Sequence, residues 1–246
     1  MLAIQDNSVA LEAWNNGMNF QCFPKEHTSM YLGRLFSLAN THDVELKNRI
    51  DRAWRKFAVF NDVLTNKSYS LSHRLRLFQA TVQPTMLYAC CCWVLTKDRA
   101  QKVRTLQRRM LRRIIGIKRK VSEDERGTES GEPWGDWMQR STRIVESTMQ
   151  NFGLKDWVAE VHRRKFRWAG HVARRTDDRW TKEVLDWTPV GHRRRGRPLL
   201  RWTDSIESFF ETLFGQSPTT DDWFEAAKDR STWKGLEEEY IKTVML

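Results

Sequence analysis

Between Asp98 and Glu123 the sequence carries ten basic residues and no acidic one. At 100° per residue, Lys102, Arg108, Arg109, Arg112 and Arg113 fall on one arc, and Lys118, Arg119 and Lys120 prolong the run. Cations repeated at helical spacing suit the neutralisation of successive phosphates along a polyanion. A second set, Arg163, Arg164, Arg167, Arg174 and Arg175, occupies the polar side of another amphipathic stretch. A third, Arg193-Arg194-Arg195-Gly196-Arg197-Pro198, contains R-G-R-P, the core of an extended arginine hook for the minor groove of A·T-rich DNA.

Residues suited to catalysis are poorly placed. Two-metal nucleotidyl transfer needs carboxylates clustered on an apolar strand. The adjacent pairs Asp177-Asp178 and Asp221-Asp222 trail a basic helix or open one, as caps or solvated groups. No phosphate-binding glycine loop, nucleophile elbow or H-E-x-x-H motif occurs. Cys90 and Cys92 lack zinc-ligand spacing and sit in an apolar run, as buried thiols do. His162 and His171 are nine residues apart, a poor chelating geometry; His171, beside Gly170, either touches a phosphate or caps packing, and packing is the preferred reading. Neither a metal nor a cofactor is expected, and the chain is not expected to be an enzyme on its own.

The charge is segregated. Residues 1–98 carry 11 Lys+Arg against 8 Asp+Glu, residues 99–202 carry 27 against 13, and residues 203–246 carry 4 against 10. These give +3, +14 and −6, which sum to the net +11 of the 246-residue chain. A basic centre points to nucleic acid, whether RNA, RNA–DNA hybrid or duplex DNA. The longest apolar stretch, Met86 to Leu95, is ten residues, too short for a bilayer. No membrane partner is expected. Four cysteines, three of them contiguous, form no disulfide framework and suit an intracellular compartment, nucleus or cytoplasm.

The elements that must hold these cations are mostly helical. Residues 1–40 read as strand-like, with Phe20–Phe23 and Met30–Phe36 flanking a turn. An isolated hairpin is marginal in water, so poor solubility is expected of this segment. Thr41 is expected to cap a helix carrying Leu46, Ile50, Ala53, Trp54 and Phe57, and Ser70 or Ser72 the next, which Pro84 kinks or ends. Met86 to Leu95 reads as a buried helix. Asp98 and Gln101 suggest a capping box for the basic helix, with Gly116 as its stop.

Its apolar arc is Val103, Leu106, Met110, Leu111, Ile114 and Ile115. Residues 41–117 thus form a helical bundle, 118–135 a linker, and 136–246 a Trp-rich helical module. In that module Trp168 is assigned to the core, and Lys165, on an apolar arc, is expected to snorkel. The fold class expected is mainly α.

The order of these elements resembles the end of the palm, the thumb and the post-thumb region of non-LTR (LINE-like) retrotransposon reverse transcriptases. Met30-Tyr31-Leu32-Gly33 resembles the Y-L-G strand, and Asn48-Arg49-Ile50 with Ala53-Trp54 the R-I-x-x-A helix. Arg74-Leu75, Val82-x-Pro84 and Leu87-Tyr88 with Trp93 resemble thumb motifs. Leu106-Gln107-Arg108-Arg109-Met110-Leu111-Arg112 through Ile117 resembles L-Q-R-x-x-L-R-x-I-x-G-I. Trp168-Ala169-Gly170-His171-Val172 and Gly196-Arg197-Pro198 to Asp204 resemble the downstream W-x-G-H-V and G-R-P-x-x-R-W-x-D motifs.

The resemblance implies a thumb that grips template–primer duplex and a downstream part that guides RNA or target DNA. The fingers and the aromatic-x-Asp-Asp strand have no counterpart, and Ala89-Cys90-Cys91 stands where the family often has Gly-x-Glu. The expectation is therefore a fragment that binds backbone phosphates without catalysis. The alternatives are a chromatin binder using Arg195-Gly196-Arg197-Pro198, an enzyme part completed by a separate palm-and-fingers polypeptide, and a non-functional relic.

Overall fold

The computed structural model describes residues 24, 27–123, 129–177, 180–186, 200–215 and 220–245. Helices dominate them, and the mainly α class holds. The chain divides into two units, 1–45 and 46–246.

In the first unit, β1 (Ser29–Tyr31) and β2 (Arg34–Phe36) pair antiparallel, with Tyr31 opposite Arg34. The hairpin therefore lies wholly within Met30–Phe36 and not between that run and Phe20–Phe23, which falls outside the described residues. Leu32 and Gly33 both take positive φ, 47° and 77°, the geometry of a two-residue turn matched to strand twist. Leu35 N–H donates to Glu45 Oε2 at 2.7 Å, which fastens the hairpin to helix α1 (Thr41–Val59). The cap of α1 is Asn40, whose Oδ1 accepts from Asp43 N–H at 3.4 Å. Thr41, the expected cap, instead donates its hydroxyl to Ser37 O.

The second unit contains the rest of α1 and ten further helices among the described residues. These are α2 (Asn61–Leu64), α3 (Leu71–Met86), α4 (Lys97–Ile115), α5 (Trp134–Asn151), α6 (Trp157–Ala173), α7 (Thr181–Asp186), α8 (Asp204–Phe214), α9 (Thr220–Lys228), α10 (Arg230–Gly235) and α11 (Glu237–Met245). Ser70 caps α3 by accepting from His73 N–H at 3.3 Å, and Pro84 is absorbed in its last turn. The run after Met86 is not a helix. It turns, forms a short 3-10 segment at Cys90–Cys92 and continues extended through Trp93. Its apolar content reflects burial of Leu87, Cys90 and Trp93, which no helical period was needed to achieve.

Thr96, not Asp98, caps α4, and Gly116 ends it at φ +79°. The segment 118–135 contains a hairpin, β3 (Val121–Glu123) with β4 (Glu129–Gly131). The helix after it starts at Trp134, two residues before Asp136.

Two cores meet on α6. Its first turns place Trp157, Val158 and Val161 in a cluster with Phe57, Phe78, Met86, Met110 and Ile114. Trp157 stacks on Phe78 with ring centroids 5.5 Å apart. The later turns place Phe166 and Ala169 in an aromatic cluster with Phe209, Phe210, Trp223, Trp233 and Tyr240. Phe166 stacks on Trp233 at 4.0 Å, and Trp233 Nε1–H donates to Phe166 O at 2.9 Å. A Cβ on Gly170 would stand 2.4 Å from Trp233 Nε1. Glycine is required there so that the indole can lie against the helix backbone.

Several motif residues act as buried fasteners. Arg74 donates to Tyr69 O (3.2 Å), Leu64 O (3.4 Å) and Ile114 O. It thereby closes α2, the following loop and the end of α4 around one guanidinium. Gln107 clamps the entry to α6, donating to Lys155 O at 2.8 Å and accepting from Trp157 N–H at 3.0 Å. Trp202 Nε1–H donates to Cys91 O at 2.7 Å. No helix among the described residues is long and apolar enough to cross a membrane.

Candidate nucleic-acid interface

On α4, burial of Val103, Leu106, Met110, Leu111 and Ile114 turns the arginine arc outward, but its members do not share one environment. Arg112 is drawn onto α5, donating to Ser141 Oγ at 2.8 Å and Thr142 Oγ1 at 2.7 Å. Burial, with the charge of Arg108 nearby, lowers its pKa. Arg108 pairs with Glu146 of α5 at 2.6 Å. Lys102, Arg109 and Arg113 remain exposed, spaced i, i+7 and i+11 along one stripe of about 16 Å. None of the three makes an ion pair among the described residues.

Arg109 and Arg113 lie over the indole of Trp54 in α1, 5.6 and 5.1 Å from its ring. Cation–π contact holds both guanidinium planes without neutralising them. Trp54, on the apolar period of α1, is half-buried against the core and also supports this stripe.

Beyond Gly116 the surface continues. Lys118 and Lys120 are exposed, whereas Arg119 donates through Nε to Glu132 O at 3.0 Å. Glu132 itself is gripped by Arg140 at 2.7 Å, which with the Lys120 N–H holds its carboxyl down at about 2. Exposed Lys67 packs on the end of α4, its Cε 3.2 Å from where a Gly116 Cβ would stand. No spacing in the sequence brings Lys67 to this row; the loop closed by Arg74 does.

The α6 arginines are differently disposed. Arg163 contacts Glu160 (3.2 Å), Glu237 (3.2 Å) and Glu238 (2.9 Å). Arg167 binds Glu237 through two bonds of 2.6 and 2.7 Å. Arg164 donates to Glu160 Oε1 at 3.0 Å and Leu87 O at 3.1 Å. Arg174 donates to Ala227 O at 2.7 Å, and Arg175 lies 3.6 Å from Asp177. Burial pushes the Glu160 carboxyl up, but hydrogen bonds from Arg164 and Arg163 outweigh it and leave its pKa lowered. Arg163 and Arg167 thus form an ion-paired seam between α6 and α11, and the other three are engaged elsewhere.

Two further expectations change. Lys165 does not snorkel; it is buried, donates to Ser205 Oγ at 2.8 Å and lies 5.2 Å from the Trp202 ring. Burial lowers its pKa to about 8. Trp168 is exposed instead of in the core, and exposed His171 rests against it with ring centroids 5.3 Å apart. His162 is buried beside Tyr240 (3.4 Å), and burial lowers its pKa to about 4.

Burial pushes the Cys90 thiol up to about 12, and the Cys92 thiol and burial raise that of Cys91. Protonated thiols of this kind are inert. No group of metal-ligating residues occurs among the described residues. Arg193, Arg194, Arg195 and Arg197 lie outside the described residues.

Comparison with known proteins gives one informative match. A transposon-derived protein of the nematode Caenorhabditis elegans is 31% identical over 211 residues, which cover 83% of this chain and 67% of the nematode protein. No protein-family model matches the chain. No solved structure matches it either.

Proposed function

The chain belongs to the family of transposon-derived proteins that includes this nematode relative, and on that premise we propose that it binds nucleic acid through backbone phosphates, without catalysis, as a thumb-like part of a LINE-like reverse transcriptase. The observation that carries the reading is the row Lys102, Arg109 and Arg113 on the outer face of α4, continued by Lys118, Lys120 and Lys67. Lys102, Arg109 and Arg113 stand on a helix whose opposite face is core, so little ordering entropy opposes their use, and the three lysines extend the row from the adjoining loops. The motif residues that suggest the reverse transcriptase origin, Arg74, Gln107, Gly170 and Trp202, each make a specific buried or half-buried contact.

The test is binding of the purified chain to single-stranded RNA, RNA–DNA hybrid and duplex DNA across a salt titration. Six cations on duplex phosphates correspond to a log–log slope near −5, or about 10³-fold weaker binding from 50 to 200 mM salt. Changing Lys102, Arg109 and Arg113 together to Ala is expected to weaken binding and flatten the slope by about 2.7. A wild-type slope near zero would overturn the reading.

A further inference from the structure

We infer that the cleft between α6 and the turn that follows α3 receives a single unpaired nucleobase, stacked on Trp168, from a single-stranded segment of nucleic acid. The inference rests on the nucleic-acid reading above but concerns a different surface and a different force. The cleft has a volume of about 300 Å³ and is lined by Leu87, Ala89 and Cys91 on one side and by Arg164, Trp168 and His171 on the other. That volume stands at the small end of ligand clefts, enough for one ring system and not for a duplex.

The wall residues Arg164, Arg167, Trp168 and His171 repeat at i, i+3, i+4 and i+7, so α6 presents them as one stripe. Trp168 is 38% exposed; Trp134 and Trp180 are more exposed still, but neither lines this cleft. His171 lies against Trp168 at 32° between ring planes. The Arg164 guanidinium fixes the opposite wall by its bond to Leu87 O.

The occupant must be flat to lie on the indole and anionic to use the rim. Arg167 gives two of its five N–H donors to Glu237 and is held by that carboxylate, with its side chain 60% exposed. Three donors are left for a phosphate attached to the stacked base. Because Glu160, Glu237 and Glu238 balance the neighbouring arginines, the cleft is not a strong phosphate trap. Stacking supplies its affinity, and bases can stack on a side chain only where they are splayed from a duplex.

The wall opposite α6 carries a further mark. Ala89 takes a left-handed backbone, φ +52°, a conformation that costs an L-residue energy and gathers at ligand clamps.

The experiment compares the wild-type chain with Trp168→Ala, Trp168→Phe and the Arg109→Ala/Arg113→Ala double variant. Labelled ten-nucleotide oligo(U), oligo(dT) and a ten-pair duplex serve as probes, read by fluorescence anisotropy. Trp168→Ala is expected to weaken both single strands about tenfold or more, to leave the duplex unchanged, and to preserve the salt slope. Trp168→Phe is expected to restore most of the loss. The arginine variant is expected to weaken all three probes.

Equal loss on duplex and single strands, or no loss on either, would overturn the cleft assignment. If the wild type shows no salt-dependent binding, the phosphate reading fails separately. The cleft is then judged by photocrosslinking millimolar 5-iodouridine monophosphate and mapping the adduct by mass spectrometry. An adduct at Trp168 supports it, and an adduct elsewhere or none overturns it.

Discussion

Two helices of this protein carry a row of arginines opposite a buried stripe, and the rows end in opposite electrostatic states. On α4, Lys102, Arg109 and Arg113 face solvent, and the nearest partner of the two arginines is the uncharged ring of Trp54. On α6, Arg163, Arg164 and Arg167 are engaged by Glu160, Glu237 and Glu238. Sequence periodicity treats the rows alike, because it reports which side of a helix is polar and not what packs there. Glu160 belongs to α6 itself, whereas Glu237 and Glu238 arrive from α11, some 70 residues downstream. A basic side chain is available to a ligand only where the fold brings no carboxylate against it. Here Arg163, Arg164 and Arg167 of α6 are engaged, and on α4 Glu146 takes Arg108 but leaves Lys102, Arg109 and Arg113 open.

Removing the arginines pairwise should break the symmetry of the two rows most visibly. Arg163→Ala with Arg167→Ala leaves Glu237, only 7% exposed, without its cationic partners. Stranding a buried charge in this way costs about 3–5 kcal/mol, and the exposure of Arg167 places the expectation near 3. Arg109→Ala with Arg113→Ala touches an exposed face and should cost no more than about 0.5 kcal/mol each. Urea unfolding of the two double variants measures the difference. Equal losses would mean that the α6 pairs are as dispensable as surface ion pairs and that the comparison has no energetic content.

How far the sequence revealed these sites follows from the same physics. The buried stripe of α4, its stop at Gly116 and the Ser70 cap were legible, because each depends on residues within a few turns. The apolar run 86–95 was not, since a buried extended segment and a buried helix have the same composition. The positions of Trp54 and Lys67 beside α4, and of Trp168 outside the core, depend on tertiary packing. The engagement of the α6 arginines had two traces in the sequence: Glu160, three and four residues before Arg163 and Arg164, and the net −6 of residues 203–246. That excess of carboxylates faces a net +14 centre, and part of it is spent inside the molecule.

The pH dependence of stability sharpens the contrast, because the buried titratable groups gather on the α6 side. Burial, with the charges of Lys165 and Arg104 adding to it, lowers the His162 pKa from 6.5 to about 4. Between those values the unfolded chain binds a proton that the folded chain excludes, so stability falls as pH falls from 6.5 towards 4. At 1.36 kcal/mol per pH unit the full effect is about 3 kcal/mol, of which a drop from pH 7 to pH 5 should show about half. Urea unfolding at pH 5, 6 and 7 should give this slope in the wild type and a visibly smaller one in His162→Phe. An unchanged slope in the variant would assign the acid sensitivity elsewhere.

The smallest expected effects come from the two left-handed residues that border the two faces. Gly116, at φ +79°, ends the open stripe, and a Cβ there would meet only the flexible end of Lys67. Gly116→Ala should therefore cost about 1 kcal/mol, the price of the backbone conformation and little more. Ala89, at φ +52°, occupies the same region of backbone space on the α6 side and already bears that cost. Ala89→Gly should return about 0.5 kcal/mol, since the freedom glycine gains in the unfolded chain offsets part of the relief. Opposite signs in thermal unfolding of the two variants would show that one face is backed by an unstrained terminus and the other by a strained turn. A loss at both positions would instead mean that the Ala89 methyl packs well enough against Leu87 and Trp168 to outweigh its own backbone.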